Sequence, residues 1–334
     1  MPTVTARKGR ASVGVGGPMP DSKPYDVISA GLLLTDVLAQ PLRTLPEPGR
    51  LSLVDRIKLH TGGCALNTGI ALARLGARVG LVGLVGEDGF GDYVLQSIRR
   101  EGANPVGVQR VQSAGTSATV VLVNPEGERS FIHSLGANAL FSPEHIDLGL
   151  VSQTKIFHVG SVGLLPALDG QPMADVLRQA RARGAVTSLD TVWDPFGRWL
   201  EIVEPCLPHV DIFLPALHEA RMITGLDKPD EIARFFLDRG AKVVAVKMGA
   251  NGCYVADGEQ SFHVPGYEVD VVDTTGAGDS FVAGFLVGWL QGWPLEEIAR
   301  FANAVGALCV TAVGATAGVR SFDETLRFMR EHQQ

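Results

Sequence analysis

Apolar strand-like runs and helical segments alternate along the chain from Ile156 to Lys247, and this alternation constrains the fold more than any other feature. The segments lie at 156–160, 173–183, 185–190, 211–214, 217–224, 230–239 and 242–247. Such an order predicts a mostly parallel sheet covered by helices on both faces. Ligands of such sheets bind at the carboxyl ends of the strands. The sequence therefore predicts an α/β fold with its site at that edge.

The amino-terminal half adds elements to the same sheet and a smaller part outside it. Strands are predicted at 25–31 and 78–86, a helix at 64–75, and part of a further helix at 93–100. Prolines interrupt residues 32–61, which indicates an excursion from the main sheet, and 116–124 with 129–134 predict a hairpin. Because no internal repeat or long linker occurs, we expect a single domain over 25–334 with a small β appendage.

Composition excludes several classes of protein. The 334 residues carry a net charge of −7 without a dense run of Lys and Arg, which argues against a nucleic-acid-binding protein. No run of eighteen apolar residues occurs, so no membrane span is expected. Residues 1–24 lack the apolar centre of a secretory signal and are predicted to be a disordered extension, or to follow from a start codon placed too far upstream. The four cysteines are widely spaced, as in a reduced, cytoplasmic protein.

The stretch VDTTGAGDSF places Gly276, Ala277, Gly278 and Asp279 directly before an apolar helical segment, 280–290. Free N–H groups at a helix start favour an anion, and glycine lets an anion approach the backbone closely. A bland alternative stays open, because aspartate is also a common N-cap residue and glycines are common in turns. The P-loop, the dinucleotide-binding glycine motif and the HExxH zinc motif are absent from the sequence.

VDTTGAGDSF resembles the carboxyl-terminal signature of the ribokinase-like carbohydrate kinases, the PfkB family. Further stretches resemble the family in the same order: TGGCALNTGIALARLGARVGLVGLVGEDGFGD (61–92), LGANALFSPEHI (135–146), VKMGANGCYV (246–255) and FANAVGALCVT (301–311). The resemblance extends from about Tyr25 to Arg330. It implies a ribokinase-like three-layer sandwich with a small β-strand lid, formed near 32–61 and 112–134.

The resemblance also implies an activity, the transfer of the γ-phosphate of ATP to a hydroxyl of a sugar or sugar acid with the help of Mg²⁺. A nucleoside kinase of the same family is the alternative within the enzyme class. A non-catalytic sugar or nucleotide sensor is the alternative from another class. Because lid strands of the family often pair between subunits and unpaired edges favour association, we expect a homodimer formed through the lid.

The family pattern assigns Asp279 as the general base that removes the proton of the attacking hydroxyl. The N–H groups of Gly276, Ala277 and Gly278 are expected to stabilise charge on the transferred phosphoryl group. On the nucleotide side the matching residues are Thr274, Lys247, Gly249, Gly252 and Asn303. From the residues alone, the alternatives are a solvated charge at a strand end for Lys247 and a simple hairpin turn for the glycines at 249 and 252.

On the acceptor side Asp36, Gly63 and Asn67 match family positions that hold sugar hydroxyls, and Asp190 lies just after a strand. Carboxylates and amides suit hydroxyls, which need both donors and acceptors. The alternatives are a turn or cap residue at Asp36 and a buried side chain bonded to the backbone at Asn67. Trp193 is predicted either to stack on the acceptor or to pack inside the protein.

The sequence departs from the family pattern at several positions. Ala216 replaces the asparagine of an Asn-x-x-Glu motif, whereas Glu219 is kept and is expected to position Mg²⁺ through water. Leu34 and Gly160 stand where ribokinase itself carries polar groups for its sugar, so a ribose pocket of that kind is not expected.

The resemblance also implies a site for a monovalent cation such as K⁺ beside the anion-binding turn. Asp273 and Thr275 match this site, together with backbone near Ala312 and Gly314. Gly318 replaces a serine that is a cation ligand in ribokinase.

Overall fold

The structure is a computed structural model, and it describes residues 22–332. Most of the predicted extension at 1–24, namely residues 1–21, lies outside the described residues. Lys23 is described, and its Nζ donates hydrogen bonds to the carbonyl oxygens of Thr154 (2.7 Å) and Gly184 (3.2 Å).

Within 22–332 the chain forms two sheets and a set of helices. The strands are β1 (Tyr25–Gly31), β2 (Leu34–Gln40), β3 (Arg56–Gly62), β4 (Val79–Gly86), β5 (Asn104–Val111), β6 (Ala118–Val123), β7 (Arg129–Ser134), β8 (Thr154–Val162), β9 (Val186–Thr191), β10 (Ile212–Phe213), β11 (Val243–Lys247), β12 (Cys253–Ala256) and β13 (Ser261–Val264). The α-helices are α1 (Cys64–Arg74), α2 (Gly89–Arg100), α3 (Leu148–Val151), α4 (Gln171–Ala182), α5 (Leu200–Val203), α6 (Leu217–Thr224), α7 (Pro229–Asp238), α8 (Ala277–Leu290), α9 (Leu295–Cys309) and α10 (Phe322–Glu331). No described helix is long and apolar enough to cross a membrane.

The main sheet has nine strands in the order β13-β12-β11-β10-β9-β8-β1-β4-β5. The pairs from β11 to β5 are parallel, and only β12 and β13 are added in antiparallel fashion. The predicted mostly parallel α/β sheet is therefore confirmed. The carboxyl ends of β9, β10 and β11 lie side by side in this order, which brings residues around 190, 215 and 247 to one edge.

Side chains of the central strands alternate between two apolar cores, one on each face of the sheet. On β1, Val27 belongs to the core formed with α1, α8 and α9, whereas Ile28 belongs to the core formed with α4, α6 and α7. Ile156 and Phe157 on β8 divide in the same way. Because successive side chains of a strand point to opposite faces, these runs need helices on both sides. The result is the expected three-layer sandwich.

The second sheet has four strands in the order β3-β2-β6-β7 and is separate from the first. The predicted hairpin is confirmed, because β6 and β7 pair in antiparallel fashion from Ala118–Ser134 to Val123–Arg129. Only three of the described residues form its own small apolar core, Leu38, Val121 and Val123. We call this sheet the lid.

Two helices extend further toward the amino terminus than the predicted segments. The segment 93–100 was predicted as part of a helix, and α2 contains it; the helix begins at Gly89, where the Asp88 carboxylate caps it by accepting a hydrogen bond from the Gly91 N–H (2.8 Å). Helix α8 begins at Ala277, not at Ser280, and Gly276 is its N-cap residue. This earlier start of α8 moves Ala277, Gly278 and Asp279 into the first turn of the helix.

Candidate active site

The start of α8 is an anion-binding turn. Gly276 has a left-handed φ of 75°, and a Cβ there would lie 1.9 Å from the carbonyl oxygen of Ala315, so only glycine fits. The Ala277 N–H donates to the Thr274 carbonyl at 3.3 Å, whereas the N–H groups of Gly278 and Asp279 have no partner among the described residues. Two free donors at the positive end of a fourteen-residue helix suit an anion such as a phosphate oxygen.

Asp279 is the third residue of α8, and its partly buried carboxylate faces α1. Its Oδ2 accepts a hydrogen bond from Nδ2 of Asn67 (2.8 Å). The capping alternative is therefore wrong, because the N-cap position belongs to Gly276 and Asp279 bonds a side chain on another helix. Burial raises the pKa of Asp279 above its usual value, against the opposing effects of Asn67 and the Lys247 charge. A raised pKa makes the carboxylate a better proton acceptor.

Asn67 lies next to Asp279 and keeps one polar atom free. Its side chain is buried on α1, and while Nδ2 binds Asp279, its Oδ1 has no hydrogen-bond partner in the described part of the chain. A buried amide oxygen without a partner is uncommon and suits a ligand hydroxyl as donor. The alternative that Asn67 bonds only to the backbone is wrong.

Lys247 forms a buried ion pair at the edge of the sheet. Its Nζ lies 2.7 Å and 2.8 Å from the two carboxylate oxygens of Asp190, and 11% of its side chain is exposed. A Cβ at Gly278 would lie 3.5 Å from the same Nζ, so the ammonium group borders the anion-binding turn. The alternative of a solvated strand-end charge is therefore wrong. Although burial lowers the pKa of Lys247, the surrounding carboxylates Asp190, Glu219 and Asp279 raise it, and the group stays charged.

This ion pair changes how Asp190 is interpreted. The residue was expected at the acceptor, but both of its oxygens accept from Lys247 and Oδ1 also accepts from the Thr191 N–H (2.8 Å). The structure therefore places Asp190 as the partner of Lys247, and a direct acceptor contact stays a prediction.

Glu219 lies in the same buried group at the start of α6. Its Oε2 accepts from the Thr191 hydroxyl (2.7 Å) and from the Ala216 N–H (3.3 Å). Burial raises the pKa of Glu219 to about 7. Ala216 is the N-cap residue of α6 and offers no side-chain oxygen to the helix. Sequence reasoning missed Thr191, because a threonine at the end of a strand carries no signal of its own.

The described residues contain no cluster of three or more metal-ligating side chains. The buried carboxylate of Glu219 nevertheless suits Mg²⁺, which retains several waters and binds through one or two carboxylates and phosphate oxygens.

The loop between β11 and β12 holds the two glycines expected near the nucleotide. Gly252 has a φ of 80°, and a Cβ there would lie 2.0 Å from the carbonyl oxygen of Val264, so the hairpin packing itself requires this glycine. A Cβ at Gly249 would meet nothing within 4 Å, and its backbone is open to a ligand. Nδ2 of Asn303 donates hydrogen bonds to the carbonyl oxygens of Val264 (3.1 Å) and Pro265 (3.0 Å). Asn303 therefore holds the backbone at Val264 and Pro265 in place. A direct contact of Asn303 with adenine stays a prediction.

The lid brings Asp36 to the other side of the site. Burial raises the pKa of Asp36 to about 6, although the Thr119 hydroxyl and the Arg129 charge oppose this rise, and the negative charge of Asp279 adds to it. Gly63 precedes α1 with a φ of 95°, and a Cβ there would lie 2.4 Å from the Leu32 carbonyl oxygen. The interaction between the charges of Asp36 and Asp279 shows that this part of the lid lies near the start of α8.

Trp193 follows β9 and is half exposed. Its ring packs edge-on against Trp199, with the centroids 4.9 Å apart, and lies nearly parallel to the His218 ring at 6.3 Å. The residue therefore packs inside the protein on one side and keeps apolar surface free for a ligand.

Comparisons with known proteins agree with this geometry. The sequence model of the pfkB family carbohydrate kinases matches residues 25–321. The chain belongs to this family. As a pfkB family member it is a phosphotransferase that acts on a sugar-type hydroxyl, which leaves the sensor alternative without support.

Relatives of this pfkB kinase include sugar and nucleoside kinases. Fructokinase-2 of Zea mays is 30% identical over 307 residues, covering 86% of this chain and 89% of the relative. Aminoimidazole riboside kinase of Salmonella typhimurium is 30% identical over 284 residues, covering 81% and 88%. The structure of Arabidopsis thaliana ribokinase complexed with ribose and ATP superimposes with a TM-score of 0.82 at 25% identity and covers 92% and 99% of the two chains. The ribokinase-like fold is therefore confirmed.

Proposed function

We propose that this pfkB kinase transfers the γ-phosphate of ATP to a hydroxyl of a sugar or sugar acid. The carrying observation is the position of the Asp279 carboxylate in the same helical turn as two free N–H donors, with the Lys247 ammonium beside them. A proton acceptor and an anion site at this spacing let a hydroxyl lose its proton while it attacks a phosphorus atom. An ATP complex of the ribokinase relative supports the same nucleotide here.

Each residue has a part in the proposed reaction. Asn67 orients the Asp279 carboxylate through Nδ2 and accepts from an acceptor hydroxyl through Oδ1. Asp279 takes the proton of the attacking hydroxyl. The free N–H groups of Gly278 and Asp279, together with Lys247, stabilise negative charge on the transferred group, and one such donor contributes about 3–4 kcal/mol in comparable sites. Mg²⁺, held through water by Glu219, would neutralise charge on the phosphate oxygens.

The acceptor is proposed to be a sugar or sugar acid because the lid offers carboxylate and amide oxygens. Asp36 and the free Oδ1 of Asn67 are suited to hydroxyl donors. A nucleoside is the second candidate, since Trp193 keeps half of its surface exposed near the end of β9 and can stack on a base. The aminoimidazole riboside kinase relative supports this candidate.

A substrate panel tests the proposal. Sugars, sugar acids and nucleosides are incubated with ATP and Mg²⁺, and ADP release is measured by a coupled assay. We expect release above the acceptor-free rate with at least one sugar or sugar acid. Release with nucleosides alone would establish the second candidate. No release with any acceptor, in the presence of measurable ATP binding, would contradict the proposed acceptor class.

We also propose that the kinase is a homodimer formed through the lid. The exposed apolar residues Ile57 on β3 and Phe131 and Ile132 on β7 lie on the two outer strands of this sheet. Outer strands with unpaired backbone and apolar side chains favour pairing with another chain. Light scattering at micromolar concentration tests the proposal, and a monomeric mass would contradict it.

A further inference from the structure

The position expected for a monovalent cation contains an arginine from the lid. Nη2 of Arg129, the first residue of β7, lies 2.7 Å from Oδ1 of Asp273. Nη1 of the same guanidinium donates to the hydroxyl of Thr275. The Asp273 side chain is 3% exposed and that of Arg129 is 23% exposed, so the ion pair is largely withdrawn from water. Arg129 was missed by sequence reasoning, because 144 residues separate it from Asp273 (273 − 129).

Backbone donors also engage the carboxylate of Asp273. Oδ1 of Asp273 accepts a second hydrogen bond from the Thr275 N–H (2.8 Å), and Oδ2 accepts from the Gly314 N–H (2.9 Å). Although burial acts in the opposite direction, Arg129 and these N–H donors lower the pKa of Asp273, so it is ionised at neutral pH. Both oxygens of the one carboxylate are therefore occupied by donors.

The backbone near Gly318 leaves no space for the serine ligand that ribokinase has there. A Cβ at Gly318 would lie 2.2 Å from the carbonyl oxygen of Leu308 and 2.5 Å from that of Cys309. Any side chain at this position would require the backbone to move. The residues present therefore do not fit a monovalent cation, and the expectation that Asp273 and Thr275 bind one is wrong for this structure.

We propose that Arg129 supplies the positive charge at this position and makes the kinase independent of K⁺. This inference rests on the proposed function. Thr275 precedes the anion-binding turn directly, so a cation that holds Asp273 and Thr275 also fixes the backbone of Gly276. A guanidinium is charged at every accessible pH and presents several donors in one plane, which matches the carboxylate and hydroxyl oxygens around it. Arg129 is thus a positioning residue that links the lid to the phosphate site.

The test measures nucleotide binding and not turnover, so it needs no knowledge of the acceptor. Binding of the Mg²⁺ complex of adenylyl imidodiphosphate is followed by calorimetry in KCl and in tetramethylammonium chloride, each at an ionic strength of about 0.1 M. We expect the unmodified kinase to bind equally well in both salts. Arg129→Ala should bind about tenfold more weakly in tetramethylammonium chloride, the effect of losing one charge-assisted hydrogen-bonded contact, and K⁺ should restore part of the loss. Arg129→Lys, which keeps the charge, should remain independent of K⁺.

Arg110→Ala is the matched control. Arg110 forms an exposed ion pair with Asp92, away from the anion-binding turn, so its removal should leave nucleotide binding unchanged in both salts. Thermal melting of each variant shows whether it is folded.

Three results would overturn the inference. They are stronger binding by the unmodified kinase in KCl, normal binding by a folded Arg129→Ala in tetramethylammonium chloride, and a weakened Arg129→Ala that K⁺ does not improve. Absence of nucleotide binding by the unmodified kinase in either salt would instead contradict the proposed function.

Discussion

The main body and the lid meet at the same site but are built very differently. Lys247 lies on a strand of the nine-stranded sheet, and Asp279 and Glu219 lie on helices α8 and α6, which pack against its two faces in two large apolar cores. Asp36 and Arg129 lie on a four-stranded sheet whose own apolar core has three residues, and the side chain of Phe131 on it is 63% exposed. The groups proposed for phosphoryl transfer thus lie on elements that pack in large apolar cores. The groups proposed for the acceptor and the cation position lie on a sheet whose own core is small. Substitutions in the lid should therefore change binding more than stability.

The largest expected effect is a loss of kcat without a loss of stability, caused by a substitution in the main body. Asp279→Asn keeps an oxygen for Asn67 but removes the proton acceptor, so kcat should fall by about 10²–10⁴-fold. Nucleotide binding and the melting temperature should change little, because Asp279 is not the cap of α8. Steady-state ADP release with the acceptor found in the substrate panel measures the first effect. Calorimetry and thermal melting measure the second.

Asp175→Asn is the control for this change, because Asp175 is an exposed aspartate on α4 with only a surface ion pair to Arg178. It should retain full turnover. Near-normal turnover by Asp279→Asn would show that another group takes the proton.

The second prediction concerns the stability of the main body. Lys247→Met leaves the buried Asp190 carboxylate without its partner, and removing one member of a buried pair costs about 3–5 kcal/mol in the free energy of unfolding. Chemical denaturation measures this loss. The lid change Phe131→Ser should cost no more than about 0.5 kcal/mol, because the side chain is exposed. Equal losses from the two changes would refute the contrast between the two regions.

A matched control for the ion pair is available at the surface. Lys228 pairs with Glu231 at 3.1 Å, but both side chains are largely exposed. Lys228→Met should leave the denaturation midpoint unchanged.

The third prediction uses the pKa of Glu219, which is raised from 4.5 to about 7 by burial. Between these values the folded protein holds more protons than the unfolded chain, so the free energy of unfolding should fall as pH rises from 4.5 to about 7. The slope from this one group is at most about 1.4 kcal/mol per pH unit. Chemical denaturation at several pH values in this range measures the slope. The free energy of unfolding should depend less on pH in Glu219→Gln than in the unmodified protein. An unchanged slope would mean that Glu219 is already ionised at low pH.

The sequence predicted most strands of the main body but few of the contacts that the lid makes. The strand at Tyr25–Gly31 was predicted with its observed bounds, because a short apolar run ended by glycine leaves few alternatives. The edge at which Asp190 and Lys247 meet follows from the parallel sheet, although their pairing does not, since it depends on the strand order β9-β10-β11. The contact of Arg129 with Asp273 depends on how two sheets face each other. No local pattern encodes that arrangement.

The smallest expected effect lies where the main body departs from its family. Ala216 has the extended backbone of an N-cap residue, with φ of −75° and ψ of 147°, but no side chain that caps α6. Ala216→Asn should cap the free N–H groups and raise the free energy of unfolding by about 1 kcal/mol. Because Glu219 lies in the same first turn, the added amide should also strengthen binding of the Mg²⁺–nucleotide complex.

Lys228→Asn separates these two effects of Ala216→Asn. Lys228 is the N-cap residue of α7, also with extended backbone and without a side-chain cap, but α7 contributes none of the residues assigned to the site. Both variants should therefore be more stable in chemical denaturation, whereas only Ala216→Asn should bind the nucleotide more tightly in calorimetry. Equal nucleotide affinities with equal gains in stability would mean that the missing asparagine served the helix and not the ligand. A loss of affinity in Ala216→Asn would mean that the pocket of this kinase has adapted to the smaller side chain.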